Sequence, residues 1–256
     1  DITNGRVEND RESAFRVMGN ADAMSSVSVE KGRYSTKAGY LVEIDHDGRF
    51  AANDASFVAQ DTWAALYTGS NTAELSLKKS SVQTSGKDRA HGVHVYGGTA
   101  TLDEVKVETR GNAAYGLRGS QGSETNQSLL TVRNSQVEVM GTGGAALYVE
   151  GDKVEAVLEQ TTLNATQANA HGMVQVDRAK LSVSDTIVNV SGAGASAYLS
   201  RVTAGGKGGN SATMNAAILR VPAGPLLWLQ GDRHALTLNQ SGLSAGEYPA
   251  KIGELL

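Results

Sequence analysis

A short phrase that recurs nine times constrains the fold of this chain more than any other feature. In it, one or two small residues precede an apolar residue that opens an alternating run, as in Ala64-Ala65-Leu66 and His91-Gly92-Val93. The apolar positions are Phe15, Tyr40, Leu66, Val93, Leu117, Leu147, Met173, Tyr198 and Leu226. Consecutive positions lie 24 to 30 residues apart. This spacing is typical of a solenoid, in which each coil stacks on the one before it.

Each coil contains three short apolar patches, which predict three strands. The first follows the small residue, the second alternates strictly, and the third follows a polar corner, as in Val93-His94-Val95, Leu181-Ser182-Val183 and Val137-Glu138-Val139. Alternation with a period of two points one side chain inward and the next outward. We therefore predict an all-β, three-sided parallel β-helix of about nine coils, with residues 1–256 forming a single solenoid. Its length would be on the order of 40 Å.

The same pattern predicts which residues stack and which turn the chain. Leu66, Val93, Leu117 and Leu147 are expected to form one ladder inside the solenoid. Polar pairs such as Asp103-Glu104 stand between the second and third strands of most coils. Asn, Asp and Ser satisfy backbone groups with their own side chains and tolerate left-handed conformations, so these pairs are expected to be corners.

Composition excludes several function classes. The net charge is -4 with both signs interspersed, so no basic stripe is available for nucleic acid, which is not expected as a partner. No apolar run approaches the roughly 18 residues that a membrane-spanning helix needs. The chain contains no Cys, which is typical both of cytosolic proteins and of secreted proteins that cross an oxidising periplasm unfolded.

Two coils are longer than the others, and insertions into a solenoid leave its core as side loops that often bind partners. The extra residues lie in the polar, glycine-containing stretches 119–127 and 204–210. We predict that these loops contact a partner through Ser120, Gln121, Glu124, Asn126, Lys207 and Asn210. The alternative is that the loops have no binding role, because glycine-rich loops tolerate change.

No catalytic motif is present, whether a nucleophile elbow, a Walker loop or a dinucleotide-binding loop. Asp152 and Asp177 are the best candidate pair of acids, on successive coils, but one such pair is expected by chance among 27 acids. His91 and His171 are expected about 14 Å apart, and His91 and His94 on opposite faces of a strand. We therefore predict no cofactor, no metal site and no catalytic residue, with the histidines capping corners or stacking.

Several of these segments together resemble a known family. The runs Ala90-His91-Gly92-Val93-His94-Val95 and Gly144-Ala145-Ala146-Leu147-Tyr148-Val149, with the recurring pattern seen in Leu181-Ser182-Val183-Ser184-Asp185, are similar to pertactin-type autotransporter passenger domains. The resemblance implies a right-handed β-helix, exported through the periplasm and through an outer-membrane β-barrel of the same polypeptide. It also implies display on, or release from, a Gram-negative cell and a role in adhesion or immune evasion. Arg-Gly-Asp and proline-rich repeats are absent, so integrin binding through that motif is not implied.

Three functional hypotheses follow. The first is a non-enzymatic surface or secreted virulence protein that binds a host receptor, matrix component, complement component or glycan, and that is a fragment of a longer passenger domain. The second is a β-helical polysaccharide hydrolase or lyase. The third is a structural spacer that self-associates through its flat faces.

Overall fold

The structure is a computed structural model that describes residues 1–253 except 21, 87, 124, 207 and 247, with side chains as far as residue 246. The regular structure in this part of the chain consists of 27 strands. The first fourteen are β1 (Ile2–Asn9), β2 (Phe15–Met18), β3 (Ser25–Thr36), β4 (Val42–Asp45), β5 (Gly48–Ala59), β6 (Ala64–Thr68), β7 (Glu74–Lys78), β8 (Ser81–Thr84), β9 (His91–Val95), β10 (Gly98–Asp103), β11 (Lys106–Thr109), β12 (Tyr115–Ser120), β13 (Ser128–Arg133) and β14 (Gln136–Val139). The others are β15 (Ala145–Glu150), β16 (Val154–Glu159), β17 (Thr162–Ala165), β18 (His171–Val176), β19 (Lys180–Ser184), β20 (Ile187–Val190), β21 (Tyr198–Arg201), β22 (Ser211–Asn215), β23 (Ile218–Val221), β24 (Pro225–Gln230), β25 (Ala235–Asn239), β26 (Gly242–Ala245) and β27 (Tyr248–Gly253). Within the described residues, no helix has the length and apolar character needed to cross a membrane.

The strands form the predicted parallel β-helix, with about nine turns and three strands in a typical turn. Face 1 is a ten-stranded sheet in the order β2-β4-β6-β9-β12-β15-β18-β21-β24-β27. The other two faces belong to one bent seventeen-stranded sheet. Face 2 contains β7, β10, β13, β16, β19, β22 and β25, and face 3 contains β8, β11, β14, β17, β20, β23 and β26. Near the N-terminus, β5 runs on from face 2 to face 3, because it pairs with both β7 and β8.

The core is a set of ladders inside the three faces, and the predicted ladder on face 1 is confirmed. Leu66 pairs with Val93, Val93 with Leu117, and Leu117 with Leu147, all fully buried. At the ends of the rod, the predicted register is wrong. Phe15 and Leu66 pair with Val42, not Tyr40, and Tyr198 pairs with Leu227, not Leu226. The reason is that Leu41 and Leu226 occupy the position that is small in the other turns.

The small residue of the phrase points inward, as does the apolar residue that follows it. A larger side chain at the small position would collide with face 3. A Cβ atom built on Gly116 would lie 2.3 Å from Val137 Cγ1 on face 3. One built on Gly92 would lie 2.5 Å from Val107 Cγ1. The corner between faces 1 and 3 is therefore too narrow for a large side chain in these turns. Because two consecutive residues point inward, the inward and outward positions that follow them on face 1 are shifted by one residue.

The predicted polar corners between faces 2 and 3 are confirmed, and they form a column of left-handed residues. The φ angles include 53° at Asp54, 56° at Glu104 and 50° at Asn134. A Ser or Thr then follows in several turns. The Ser135 hydroxyl accepts a hydrogen bond from the Val105 N–H of the preceding turn, at 3.0 Å. Side chains thus satisfy backbone groups that the turn leaves without ladder partners.

Candidate functional site

The outward positions of face 1 differ chemically from those of the other two faces. On faces 2 and 3, most outward side chains are Ser, Thr, Asn or charged residues. On face 1, rings stand one behind another along the rod. We call this set the aromatic strip: Tyr40, Trp63, Tyr67, His91, His94, Tyr96, Tyr115 and Tyr148. None of these residues was among the predicted site residues. The sequence does indicate which residues face outward here. His94, Arg118 and Tyr148 each directly follow an inward-facing ladder residue, so each is expected on the outer side of face 1.

The rings of the aromatic strip stack from turn to turn. His91 and Tyr115 are parallel within 9°, with centroids 4.8 Å apart, and Tyr115 and Tyr148 are parallel within 9° at 4.4 Å. These distances are close to the spacing between neighbouring strands, so the solenoid itself sets the stack. Trp63 meets His91 edge to face at 5.6 Å and remains 45% exposed. The strip therefore offers an indole ring to solvent above an ordered stack.

Arg118 lies among these rings. Its Cζ atom is 5.8 Å from the ring centroid of Trp63 and 5.7 Å from that of Tyr148, distances that allow cation–π attraction. Its Nη1 is 3.3 Å from Nε2 of His91, and its Nε is buried without a hydrogen-bond partner. The guanidinium is thus positioned mainly by aromatic faces, and part of its hydrogen-bonding capacity is unused.

A second arginine, Arg201 on β21, also reaches Tyr115 and Tyr148, although β21 lies three strands beyond β12 on face 1. The Tyr148 hydroxyl donates to Glu150 Oε2 at 2.9 Å. Burial raises the pKa of Tyr148, Glu150 raises it further, and a hydrogen bond from Arg201 opposes the shift. Burial also raises the pKa of Tyr115, against the influence of Arg118 and Arg201. Two cationic side chains therefore converge on one pair of rings.

The prediction that the histidines cap or stack is confirmed. His91 Nδ1 accepts the Tyr115 N–H at 2.9 Å, and His171 Nδ1 accepts the Ser196 N–H at 3.0 Å. An Nδ1 that accepts a backbone hydrogen bond has no room for a proton of its own. Burial, aided by nearby arginines, lowers the pKa of His91 to about 3 and that of His171 to about 4. Both rings are therefore neutral near pH 7.

The expectation that His91 and His94 point to opposite faces is wrong. Their ring centroids are 6.0 Å apart on the outer side of face 1, because Gly92 and Val93 both point inward and shift the alternation. His94 Nε2 lies 2.8 Å from the Ser120 hydroxyl, and burial lowers the His94 pKa to about 2. In the described residues, no group of three or more His, Asp or Glu side chains is arranged to hold a metal ion.

The first insertion lies between β12 and β13 and is folded back over earlier turns. Asn71, two turns before it, donates to the Thr125 carbonyl at 3.1 Å and accepts the Gln127 N–H at 2.7 Å. The Tyr96 hydroxyl donates to the Gly122 carbonyl at 3.2 Å. The insertion therefore forms the border of the aromatic strip.

The predicted site residues of this insertion have different environments. Ser120 is buried and pairs with His94. Gln121 and Asn126 are half-buried, and Asn126 Nδ2 lies 3.5 Å from the Tyr96 carbonyl. Glu124 lies outside the described residues. Gln121 and Asn126 are thus the members of this group that stand at the edge of the strip.

The second insertion leaves the rod at the same corner, between β21 and β22. Asn210 is fully buried there, and its Nδ2 donates to the Gln175 carbonyl at 3.1 Å and to the Ser200 hydroxyl at 2.8 Å. Its Oδ1 accepts the Arg178 N–H at 2.6 Å. Asn210 therefore anchors the insertion, and we do not include it in the binding surface. Lys207 lies outside the described residues.

A groove of about 390 Å³ opens beside the first insertion, on face 2. Its walls include Gln127, Leu129, Asp152, Glu155 and Lys180. Asp177, the other member of the candidate acid pair, is not among its lining residues and accepts hydrogen bonds from the Thr203 N–H, at 2.9 Å, and from the Thr203 hydroxyl. The two acids therefore have different surroundings.

No protein-family model and no curated protein matches the chain.

Proposed function

We propose that the protein is a non-enzymatic binding rod that engages a host molecule through the aromatic strip and the insertion at its border. The observation that carries the proposal is the run of outward-facing rings on face 1. These rings lie on the outer side of face 1 and are not part of the main hydrophobic core, so packing of that core does not explain why they are aromatic. Exposed aromatic residues beside arginine are typical of interaction sites. Trp63, Tyr96 and Arg118 supply that combination here.

The proposed setting is the surface or the secreted fraction of a Gram-negative bacterium, after transit through the periplasm. It is supported by the resemblance of the repeat to autotransporter passenger domains, and the absence of cysteine agrees with that route without distinguishing it from a cytosolic one. A stiff solenoid suits this role, because it holds a binding face at a fixed orientation along its length. Adhesion and immune evasion both require such a face.

The test is binding of the purified protein to host cells and to arrays of host proteins and glycans, with Trp63→Ala as the strip variant. Trp63 is exposed, so the variant is expected to fold normally and to bind about tenfold more weakly. Leu129→Ala is the matched control, because Leu129 is a 38% exposed apolar side chain on face 2. If the wild type binds nothing, or if both variants bind like it, the proposal is wrong and a spacer role is favoured.

A second candidate function is polysaccharide cleavage in the face 2 groove, favoured by the presence of Asp152 and Glu155 in its walls. Glycosidases place two carboxyl groups on opposite sides of the bond that they cleave. The test is release of reducing ends from a panel of acidic and neutral polysaccharides. Activity that disappears in Asp152→Asn and persists in Trp63→Ala would support cleavage. If no polysaccharide in the panel is cleaved, this candidate is excluded.

A further inference from the structure

We infer that the ligand of the aromatic strip is a carboxylate-bearing saccharide, with its sugar ring on Trp63 and its carboxylate at Arg118 and Arg201. This inference rests on the proposed binding function and names the ligand class for the same site. It depends on three features of the strip: its charge, its unused hydrogen-bond donors and its geometry.

The charge of the strip is positive at its C-terminal end, around Tyr115 and Tyr148, whereas the carboxylates of Glu43 and Asp45 act on Tyr67 nearer its other end. Arg118 and Arg201 converge on Tyr115 and Tyr148, and Arg89 is close enough to Tyr115 to act on it electrostatically. The opposing carboxylate is Glu150, which already accepts the Tyr148 hydroxyl. The histidines of the strip are neutral, so they add no positive charge near pH 7. An anionic ligand would therefore reduce repulsion among three cations.

The unused donors point to the same ligand chemistry. Five buried side-chain polar atoms in the described part of the chain have no hydrogen-bond partner, and three of them belong to this site. They are Nε of Arg118, Nε of Arg201 and Nδ1 of His94. Most buried polar groups in proteins do have partners. Two of these atoms are guanidinium donors, and a carboxylate is the acceptor that fits a guanidinium best.

The geometry favours a saccharide over a peptide. The strands of face 1 from β4 to β24 pair on both sides, so a peptide cannot add to them as another strand. The exposed rings of the strip are instead those of Trp63 and Tyr96, and the amides of Gln121 and Asn126 are half-buried. Pyranose rings pack their C–H faces on indole and use their hydroxyls as hydrogen-bond partners. The strip runs along the rod, so it can accept a chain of sugars.

The inference is tested by calorimetric titration of the intact protein with defined saccharides. The probes are a hyaluronan octasaccharide, its methyl ester, sialyllactose, lactose and a hexaglutamate peptide. The carboxylated saccharides are expected to bind, and the methyl ester and lactose at least about tenfold more weakly. Added salt is expected to weaken binding, because it screens partly exposed charges. Comparison of hyaluronan with sialyllactose distinguishes a uronic acid polymer from a terminal sialic acid as the source of the carboxylate.

The matched variants are Arg118→Gln, Arg118→Lys and Arg133→Gln. Arg133 is an arginine on face 2 that pairs with Glu159, so its variant controls for lost charge alone. Arg118→Gln is expected to weaken binding about tenfold, Arg118→Lys less, and Arg133→Gln not at all. The lysine variant keeps a positive charge among the rings. If it binds more tightly than Arg118→Gln, the loss in the glutamine variant is due to the lost charge and not to misfolding.

Two patterns of binding to these probes would overturn the inference. One is equal binding of the octasaccharide and its methyl ester, and the other is hexaglutamate binding as tight as that of the acidic saccharides. If neither saccharide binds while binding to cells still depends on Trp63, the ligand class is wrong and the proposed function stands. If binding to cells is absent as well, both are wrong.

Discussion

The inward-facing small residues determine how closely faces 1 and 3 can approach. Where the opposing residue is Val107 or Val137, the position is occupied by Gly92 or Gly116, and an added Cβ would overlap a methyl group. Alanine occupies the same position elsewhere, as at Ala65 and Ala146. At Gly92 and Gly116, the opposing valine methyl groups therefore leave no room for a Cβ atom, as expected of a close-packed interior.

Gly116→Ala is therefore expected to destabilise the protein by about 1–3 kcal/mol, because its Cβ would meet Val137 Cγ1 at 2.3 Å. Urea unfolding measures the change. In a Val137→Ala background, the same glycine substitution should cost less, and the double-mutant cycle gives the coupling. Gly242→Ala is the control, because its nearest atom, Ile218 Cγ1, is 3.8 Å away. If the two substitutions lower the free energy of unfolding equally, contact with Val137 is not the reason for a glycine at position 116.

The capping histidines make stability depend on pH. Folded His171 has a pKa of about 4, whereas an unfolded histidine has one near 6.5. Between these values the unfolded chain binds more protons, so stability falls as the pH falls. The slope is at most about 1.4 kcal/mol per pH unit for each such histidine. We expect urea midpoints to drop from pH 7 to pH 5 in the wild type, and to drop less in His171→Asn.

The matched control for this experiment is His46→Asn. His46 is 63% exposed in a turn with a φ of 48°, which asparagine tolerates. If His171→Asn and the wild type lose the same stability on acidification, His171 is not the source of the slope.

At the residue scale, the chemistry of the corners was predictable from the sequence, whereas the direction of face 1 side chains that precede the two inward residues, such as His91, was not. The corner residues Asp54 and Asn134 were predictable because a left-handed residue followed by a strand leaves a pattern of polar residue types. The direction of His94 relative to His91 was not, because the intervening two inward residues break simple alternation. The unpaired Nε atoms of the arginines depend on contacts between different turns, which one coil of sequence does not contain.

At the scale of elements, the insertions extend the solenoid sideways and are ordered by hydrogen bonds. Their existence was predictable, because 30 residues in place of about 26 must leave the core. Their anchoring was not, since Asn71 and Asn210 are ordinary polar residues in the sequence. Asn71 acts on an insertion two turns away, and Asn210 reaches the Gln175 carbonyl 35 residues earlier. Contacts of such separation follow from stacking and not from local pattern.

We expect Asn71→Ala to release the first insertion without unfolding the rod. The variant loses the bonds to Thr125 and Gln127, each contributing on the order of 1 kcal/mol. Amide hydrogen exchange near Thr125 and Gln127 should accelerate, while the thermal midpoint changes little. Asn189→Ala, which removes the bond to Asn164 on face 3, is the control and should leave this exchange unchanged. Unchanged exchange in Asn71→Ala would mean that other contacts order the insertion.

At the scale of the whole molecule, binding and folding use different surfaces of the same strands. Each turn buries its inward ladder against the turns before and after it, so stability is a sum of nearest-neighbour terms. The outward rings of face 1 add a separate apolar cluster that includes Tyr148, Val174 and Leu199. Binding residues such as Trp63 can therefore change without altering the inward ladders. This separation is what makes the strip variants interpretable as binding variants.

The nearest-neighbour character of the rod also predicts how a break in its centre spreads. Leu147 is fully buried between Leu117 and Met173, so Leu147→Asp would place an unpaired charge in the ladder at a cost of several kcal/mol. Amide protection should be lost in the turns of these three residues and retained in the first turns, around Val42. Thr101→Asp, at an exposed outward position of face 2, should leave protection intact throughout. Uniform loss of protection along the rod would show that the solenoid unfolds as one unit, and unchanged protection would show that Leu147 does not face inward.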